Sequence, residues 1–146
     1  MDAAKGTFRA VEAGAQRLHG QTALLLCGHT PEEQRQLLRL LEQSQLAHLP
    51  VIVVTAATAS QPLDALTALP DRTGLGEDSA LPRAIIMSGL VEKELHTLMD
   101  AHRHSGQPRP LWAAATPGNA SWSATRLLTE LQRERDALGR AARRSP

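Results

Sequence analysis

Four short apolar runs alternate with longer amphipathic stretches along the chain. The runs cover Thr22 to Gly28, Pro50 to Thr55, Arg83 to Ser88, and Leu111 to Thr116. Such alternation is typical of βαβ units, and strands that are apolar at nearly every position are typical of a sheet covered on both faces. The pattern therefore predicts a single small three-layer α/β domain with a four-stranded, mainly parallel sheet and helices on both faces. No internal repeat is evident.

Capping residues mark where the helices begin. Thr30, Pro31 and Glu33 combine a cap, a proline at the first helical position and a capping-box glutamate. Residues 60–69 predict only a brief helix, and residues 70–80 predict an exposed loop. The three longer helices are predicted over Pro31 to about Ala47, Glu92 to His104, and Ser121 or Ser123 to about Leu138.

The α/β domain is expected to cover residues 21–139, with a short segment at each end. In residues 1–20 apolar positions recur at helical spacing, which predicts an amphipathic helix that is either docked on the domain or part of a leader. Residues 140–146 predict a basic tail. A cytoplasmic location is expected, and a chloroplast or mitochondrion is the alternative if the first segment is a targeting leader.

Composition narrows the classes of protein that fit. The chain has 16 Lys and Arg against 15 Asp and Glu, so its overall charge does not indicate a nucleic-acid surface. Its one cysteine, Cys27, excludes an intrachain disulfide and predicts a buried, unreactive thiol in the first strand. No apolar run approaches the roughly 18 residues that a membrane span needs.

Polar residues follow the predicted strands. Because parallel strands end at the same edge of a sheet, their turns are expected to meet in one crevice. An alternative interpretation makes Asn119 and Ser121 helix caps and Trp122 a core residue, and gives His29 only local hydrogen bonds at a helix entry. The residues expected to bind a ligand or partner in the crevice are His29, Ser88, Gly89, Thr116, Pro117, Asn119 and Trp122.

Several kinds of active site do not fit these turns. The turn Gly28-His29-Thr30-Pro31 lacks the glycines and lysine of a phosphate-binding loop, and no Gly-x-Gly-x-x-Gly follows a strand. No acid ends a strand, as a phosphoacceptor domain requires, and Ser88 lacks the glycine two residues upstream that a nucleophile elbow uses. His96, Asp100, His102 and His104 are too weakly patterned to predict a metal site. No catalytic residue, metal ligand or cofactor is therefore predicted.

The second half of the chain carries an ordered set of motifs. They are Ile85-Ile86-Met87-Ser88-Gly89, Glu92-Lys93-Glu94-Leu95, Ala115-Thr116-Pro117-Gly118-Asn119-Ala120-Ser121-Trp122-Ser123 and Leu127-Leu128-Thr129-Glu130-Leu131. Here the chain resembles a family of small, mainly bacterial proteins with a domain of unknown function, marked by Ser-Gly and then Thr-Pro-x-Asn-x-x-Trp-Ser/Thr. The likeness covers residues 82–138 well, extends weakly back to Leu24, and departs from the family at Val91, Trp112 and Ser121. The resemblance implies the fold and the motif, without a reaction.

Three functional hypotheses follow. The first is a noncatalytic module that binds a protein partner or a small anionic ligand through Thr116, Asn119 and neighbouring backbone donors. The second is a small enzyme that uses His29 as acid or base with Ser88 or Thr116. The third is nucleic-acid or ribonucleoprotein contact through the arginines near the C-terminus, although a charge run is more often solvated and nucleic acid is not the expected partner.

Overall fold

The computed structural model describes residues 17–144, with side chains through residue 141. Four strands and four helices alternate in the order that the sequence predicts. They are β1 (Ala23–Cys27), α1 (Pro31–Gln43), β2 (Val51–Val53), α2 (Leu63–Leu66), β3 (Ala84–Ser88), α3 (Glu92–His104), β4 (Leu111–Ala114) and α4 (Ala124–Arg144). The helix α4 continues past the predicted end near Leu138 and includes the first residues of the predicted tail. Among the described residues, no helix combines the length and apolar character of a membrane span.

The sheet has the strand order β2-β1-β3-β4. The pairs β1–β2 and β3–β4 are parallel, which confirms a mainly parallel sheet, but β1 and β3 run antiparallel with Ala23 opposite Ser88 and Cys27 opposite Ala84. The expectation that all four strands end at one edge is therefore wrong. The physical reason lies between β2 and β3. The 13-residue helices α1 and α3 run back along the strands, whereas α2 has only four residues and does not, so β3 begins at the end of the sheet where β2 finishes.

Helices cover both faces of the sheet, as predicted. On one face α1 and α3 pack Leu37 and Leu98 against alternate strand residues such as Leu24. On the other face α2 and α4 pack against the remaining strand residues, including Leu25 and Ile86. The strands β1, β2 and β3 are buried at every position, so the sheet is the centre of the core. Cys27 belongs to this core, and burial raises the pKa of its thiol to about 12, which keeps it protonated and unreactive.

An approximate two-fold axis relates the two halves of the domain. A spacing of 61 residues separates Ala23 from Ala84 at the starts of β1 and β3 and brings Leu25 opposite its own equivalent, Ile86. Hydrogen bonds repeat at the same spacing. The Asp64 N–H donates to the Ala120 carbonyl at 3.1 Å, and the equivalent Thr125 N–H donates to the Ala59 carbonyl at 3.1 Å.

These equivalences define a first unit, residues 20–67, and a second unit, residues 81–128. Gly28 and Gly89 are equivalent, with φ of 70° and 69°. A Cβ on Gly28 would touch the backbone of Leu81, and a Cβ on Gly89 would touch the backbone of the equivalent Gly20. The prediction of no internal repeat is therefore wrong. The repeat is hard to see in the sequence because few equivalent side chains are identical, whereas backbone hydrogen bonds do not depend on side-chain identity.

Residues 17–20 pair with the turn after β3. The Leu18 N–H donates to the Leu90 carbonyl at 2.7 Å, and the Arg17 guanidinium donates to the Gly89 carbonyl at 2.5 Å. These residues therefore contact the α/β domain directly. The rest of the predicted N-terminal helix or leader, residues 1–16, lies outside the described residues.

The predicted exposed loop after α2 lies partly along the outer edge of β2. Val51 donates its N–H to the Asp71 carboxylate at 2.8 Å and accepts from the Arg72 N–H at 2.7 Å, while the Val53 N–H donates to the Thr73 carbonyl at 2.8 Å. The loop is thus hydrogen-bonded to the sheet edge. Residues 71–73 cover the backbone groups that β2 would otherwise present to solvent.

Candidate functional site

The antiparallel pair divides the predicted ligand-binding residues between two ends of the sheet. The end at which β1 and β2 finish carries His29 and is called the His29 end; the opposite end carries Ser88, Gly89 and Thr116 and is called the Ser88 end. Ala23 lies opposite Ser88, and His29 is six residues further along the chain from Ala23. At about 3.3 Å per residue, His29 is therefore roughly 20 Å from Ser88. The structure therefore does not bring His29 together with Ser88 or Thr116, whereas a general base must lie within a hydrogen bond or one water of its target.

At the Ser88 end, Asn119 holds its own turn together. Its Oδ1 accepts from the Thr116 N–H at 2.8 Å, and its Nδ2 donates to the Ala114 carbonyl at 3.1 Å. The Thr116 hydroxyl in turn accepts from the Asn119 N–H at 3.2 Å. Asn119 is buried, while Thr116 and Pro117 are exposed. The amide that was expected to contact a ligand is thus engaged by the main chain.

Trp122 lies just before α4 and is half-buried against the core. The Arg126 guanidinium sits 3.9 Å above the centre of its ring. The cap of this helix is Ser123, whose hydroxyl accepts from the Arg126 N–H at 3.0 Å. Trp122 therefore combines core packing with a cation–π contact.

Ser88 lies in a small pocket of about 170 Å³. Its hydroxyl donates to the His19 carbonyl at 3.4 Å, and the following Gly89 is packed against Gly20 and Thr22. His19 and Asp64 also line this pocket, but among the described residues no hydrogen bond joins the side chains of Ser88, His19 and Asp64. The Ser-Gly motif thus serves close packing of the segment at residues 19–22.

His29 is a buried residue at a helix entry. Its Nδ1–H donates to the Cys27 carbonyl at 2.9 Å, and its own carbonyl accepts from the Gln34 amide at 3.0 Å. Burial is the main reason that the pKa of His29 is lowered, and so the neutral ring is favoured. The local hydrogen bonds expected in the alternative interpretation are present.

Sequence reasoning missed a larger pocket between α3 and β4, at the His29 end. Its volume is about 380 Å³, and His102, which is only 4% exposed, forms part of its wall. The ring of His102 meets that of Trp112 edge to face, with centroids 5.4 Å apart. The residues that line this α3–β4 pocket are Met99, His102, Arg103, Gln107, Arg109 and Trp112.

The α3–β4 pocket is rich in positive charge. No carboxylate is among its lining residues, and Arg109 has no ion-pair partner among residues 17–141, whereas Arg103 pairs with Asp100. In the first unit the residue equivalent to Arg109 is His48, which pairs with Glu94 at 2.8 Å. The equivalent pairing would join Arg109 to Glu33, but Glu33 pairs with Arg83 at 2.5 Å instead.

The first unit shows how the same fold fills these positions with apolar side chains. The positions equivalent to His102, Gln107 and Trp112 are occupied by Leu41, Leu46 and Val51, all buried in the core. The position of Arg103 is occupied there by Glu42. Polar and cationic side chains in the second unit therefore stand where the same fold packs aliphatic or acidic ones. A comparison of the sequence with itself at a spacing of 61 residues would have revealed this difference.

Burial also affects the ionisation of the pocket. Desolvation is the largest cause that lowers the pKa of His102, and the nearby positive charge of Arg83 lowers it further. An anion placed beside the ring would oppose both effects, because a negative charge favours the protonated imidazole. The arrangement suits a ligand whose anionic group meets guanidinium and imidazole groups.

Comparison with known proteins supports the resemblance seen in the sequence. No curated protein and no solved structure gives a significant match to the chain. A protein-family model matches residues 83–138, which include β3, α3, β4 and much of α4, and so contain the α3–β4 pocket. The bacterial range and the Thr-Pro-x-Asn signature stay predictions. Over residues 83–138 the chain is similar to the family described as a domain of unknown function, DUF3783.

Proposed function

We propose that the protein is a noncatalytic α/β binding module whose α3–β4 pocket receives an anionic group of a ligand or protein partner. The observation that carries this proposal is a pocket wall with no carboxylate that includes the buried His102 and Arg109, which has no ion-pair partner in the described part of the chain. The class of function is the one that the sequence predicts. The proposed site is not the predicted one, because the side-chain amide of Asn119 is hydrogen-bonded to the main chain.

The dimensions and chemistry of the pocket support this function. Ligand pockets usually have volumes of about 300–1,000 Å³, with mostly apolar walls and a few polar groups that fix the ligand. The α3–β4 pocket, at about 380 Å³, has Met99 and Trp112 as apolar wall and Arg109 as a charged donor. A guanidinium can hold a carboxylate, sulfate or phosphate through two parallel hydrogen bonds.

The other two hypotheses have less support. His29 and Ser88 lie at opposite ends of the sheet, so we do not propose an enzyme that combines them. Nucleic-acid contact through α4 stays a prediction. Of its exposed arginines, Arg133 already pairs with Glu130 at 3.0 Å.

Sulfate tests the pocket directly. In a titration at constant ionic strength, we expect sulfate to shift the indole N–H resonance of Trp112 in the two-dimensional NMR spectrum. Arg109→Gln should raise the dissociation constant about tenfold or more, because a charge-assisted hydrogen bond contributes about 1.5–3 kcal/mol and each 1.4 kcal/mol is tenfold. Arg135→Gln removes the same charge from exposed α4 and is the control. Equal weakening by both variants would show that only net charge matters and would contradict a site at the pocket.

Binding should also depend on pH through His102. Because a bound anion favours the protonated ring, sulfate affinity should increase as pH falls from 7.5 to 6, while sulfate itself does not titrate in this range. Without a ligand, the stability of the fold should fall over the same pH range. Because the pKa of His102 is lower in the folded state than the unfolded value of about 6.5, the free energy of unfolding is highest above about pH 6.5 and decreases as pH falls toward the folded pKa. His102→Leu, which places at residue 102 the side chain found at the equivalent Leu41, should reduce the pH dependence of both sulfate affinity and the free energy of unfolding. An unchanged slope of sulfate affinity in this variant would exclude His102 as the coupled group.

A further inference from the structure

We propose that the outer edge of β4 accepts an extended acidic segment of a protein partner as an added strand, with its acidic side chains at the α3–β4 pocket. This inference rests on the proposed function and names the partner that the pocket would recognise. In strand addition, main-chain hydrogen bonds supply affinity and side-chain pockets supply specificity.

The outer edge of β4 has no neighbouring strand or loop hydrogen-bonded to it among the described residues. The Leu111 N–H donates to the Arg83 carbonyl at 3.0 Å and the Ala115 N–H to the Met87 carbonyl at 2.8 Å, so alternate residues of β4 point their backbone groups toward β3. Trp112 and Ala114 therefore point theirs outward. Within residues 17–141, the N–H and carbonyl of Trp112 and the N–H of Ala114 have no hydrogen-bond partner.

The first unit shows how such an edge is filled. Val51 and Val53, the equivalents of Trp112 and Ala114, point outward from β2 and are hydrogen-bonded to residues 71–73. In the second unit the residues at the same spacing, 132–134, belong to α4 and are helical. Within residues 17–141 the chain thus covers one edge of its sheet with its own backbone and leaves the equivalent edge uncovered.

The same comparison indicates the chemistry of the occupant. On β2 the group that accepts the Val51 N–H is the carboxylate of Asp71, at 2.8 Å. A carboxylate in the equivalent place on β4 would accept the Trp112 N–H and lie beside a pocket that contains Arg109 and no acid. An acidic segment therefore satisfies both the edge and the pocket.

A second copy of the chain is a poorer occupant, because the strand that it would add carries no acid. Residues 105–116, which include β4, contain no Asp or Glu. Pairing of two β4 strands would therefore leave the α3–β4 pocket of each copy without an anion. Charge complementarity favours an acidic partner over self-association.

Amide exchange in the free full-length chain tests whether the edge is open. We expect fast exchange at Trp112 and Ala114, and at least tenfold slower exchange at the covered equivalents Val51 and Val53. Protection of Trp112 and Ala114 at every concentration would mean that residues 1–16 cover the edge. Protection that grows with concentration would mean that a second copy does. Either result would overturn the inference.

Peptides of defined composition test the partner. An eight-residue peptide of alternating Glu and Val should bind the full-length protein in a fluorescence anisotropy titration, and sulfate should compete. The matched Lys and Val peptide should not bind, and Arg109→Gln should weaken binding of the acidic peptide about tenfold. The decisive probe is the same acidic peptide with every second amide N-methylated on its hydrogen-bonding edge, which keeps its charge but cannot add as a strand.

The outcomes separate the two proposals. Loss of binding on N-methylation, by tenfold or more, supports strand addition. Equal binding of the methylated peptide would show that charge alone is recognised, so the anion site would stand and the added strand would be wrong. If sulfate binds and the acidic peptide does not, the inference fails alone. If neither binds, the proposed function fails with it.

Discussion

Asn119→Ala is expected to lower the free energy of unfolding by about 3 kcal/mol. The change leaves the Thr116 N–H and the Ala114 carbonyl without the partners that Asn119 supplies at 2.8 Å and 3.1 Å. The half-buried Ala114 carbonyl left unpaired costs about 1–3 kcal/mol, and loss of the hydrogen bond from the exposed Thr116 costs about 0.5–1.5 kcal/mol more. Urea denaturation, with the slope compared to that of the unchanged protein, measures the effect.

The first unit supplies the control for this variant. Thr58 is the equivalent of Asn119, and its hydroxyl accepts from the Thr55 N–H at 3.0 Å. The same hydroxyl also donates to the Thr55 carbonyl, but at the longer distance of 3.3 Å, whereas Asn119 holds two backbone groups at 2.8 Å and 3.1 Å. Thr58→Ala should therefore cost less than Asn119→Ala. Sulfate affinity of folded Asn119→Ala should be unchanged. Weaker sulfate binding with unaltered stability would instead make the turn at residues 116–119 a binding site.

Gly89→Ala is expected to destabilise the protein by roughly 3 kcal/mol or more. Gly89 has a φ of 69°, a left-handed conformation that costs about 1–2 kcal/mol for a residue with a Cβ. The new Cβ would also lie 2.5 Å from the Gly20 carbonyl oxygen and 2.6 Å from the Thr22 nitrogen. Because both obstacles are backbone atoms, the segment that pairs with residues 88–91 must move, and such overpacking adds about 1–3 kcal/mol.

Two other glycines separate strain from crowding. Gly106 has a φ of 79° but no atom within 4 Å of a Cβ, so Gly106→Ala should show the conformational cost alone. Gly28 is the two-fold equivalent of Gly89 and is equally crowded, so Gly28→Ala should resemble Gly89→Ala. Chemical denaturation of the three variants provides the comparison. Equal losses for Gly106→Ala and Gly89→Ala would mean that residues 20–22 do not pack as tightly as the structure indicates.

Local patterns in the sequence were sufficient for the elements of this fold. The capping box at Thr30 and Glu33 predicts the start of α1 correctly, since the Thr30 hydroxyl accepts from the Glu33 N–H at 3.2 Å. The apolar runs correctly locate all four strands and the two-sided core. These features are predictable because each depends on residues close together in the sequence.

The direction of β3 was not predictable in the same way. An apolar run has the same pattern in a parallel and an antiparallel neighbour, so only the connection between β2 and β3 indicates direction. That connection contains the short α2 and the loop along β2, and its hydrogen bonds depend on backbone positions that side chains mark weakly. The separation of His29 from Ser88 follows from this one pairing.

The candidate site was missed for a related reason. Turn residues such as Thr116 and Asn119 stand out because they are polar in an apolar chain, but their polarity is used within the turn. His102 and Arg109, by contrast, lie on different elements, and His102 falls on the apolar stripe of its helix. Only the fold brings them to one pocket, and only comparison between the units shows that Leu41 is the alternative to His102.

The two units share one sheet, and this has a consequence for how stability is distributed. His102 and Gln107 stand where the first unit buries Leu41 and Leu46, and each such leucine contributes about 1.5–3 kcal/mol of apolar burial. Because the pair β1–β3 joins both units through one continuous core, leucines in the first unit offset what the second unit gives up. Apolar burial in the first unit thus stabilises the whole domain, and this allows the second unit to place polar side chains in its pocket.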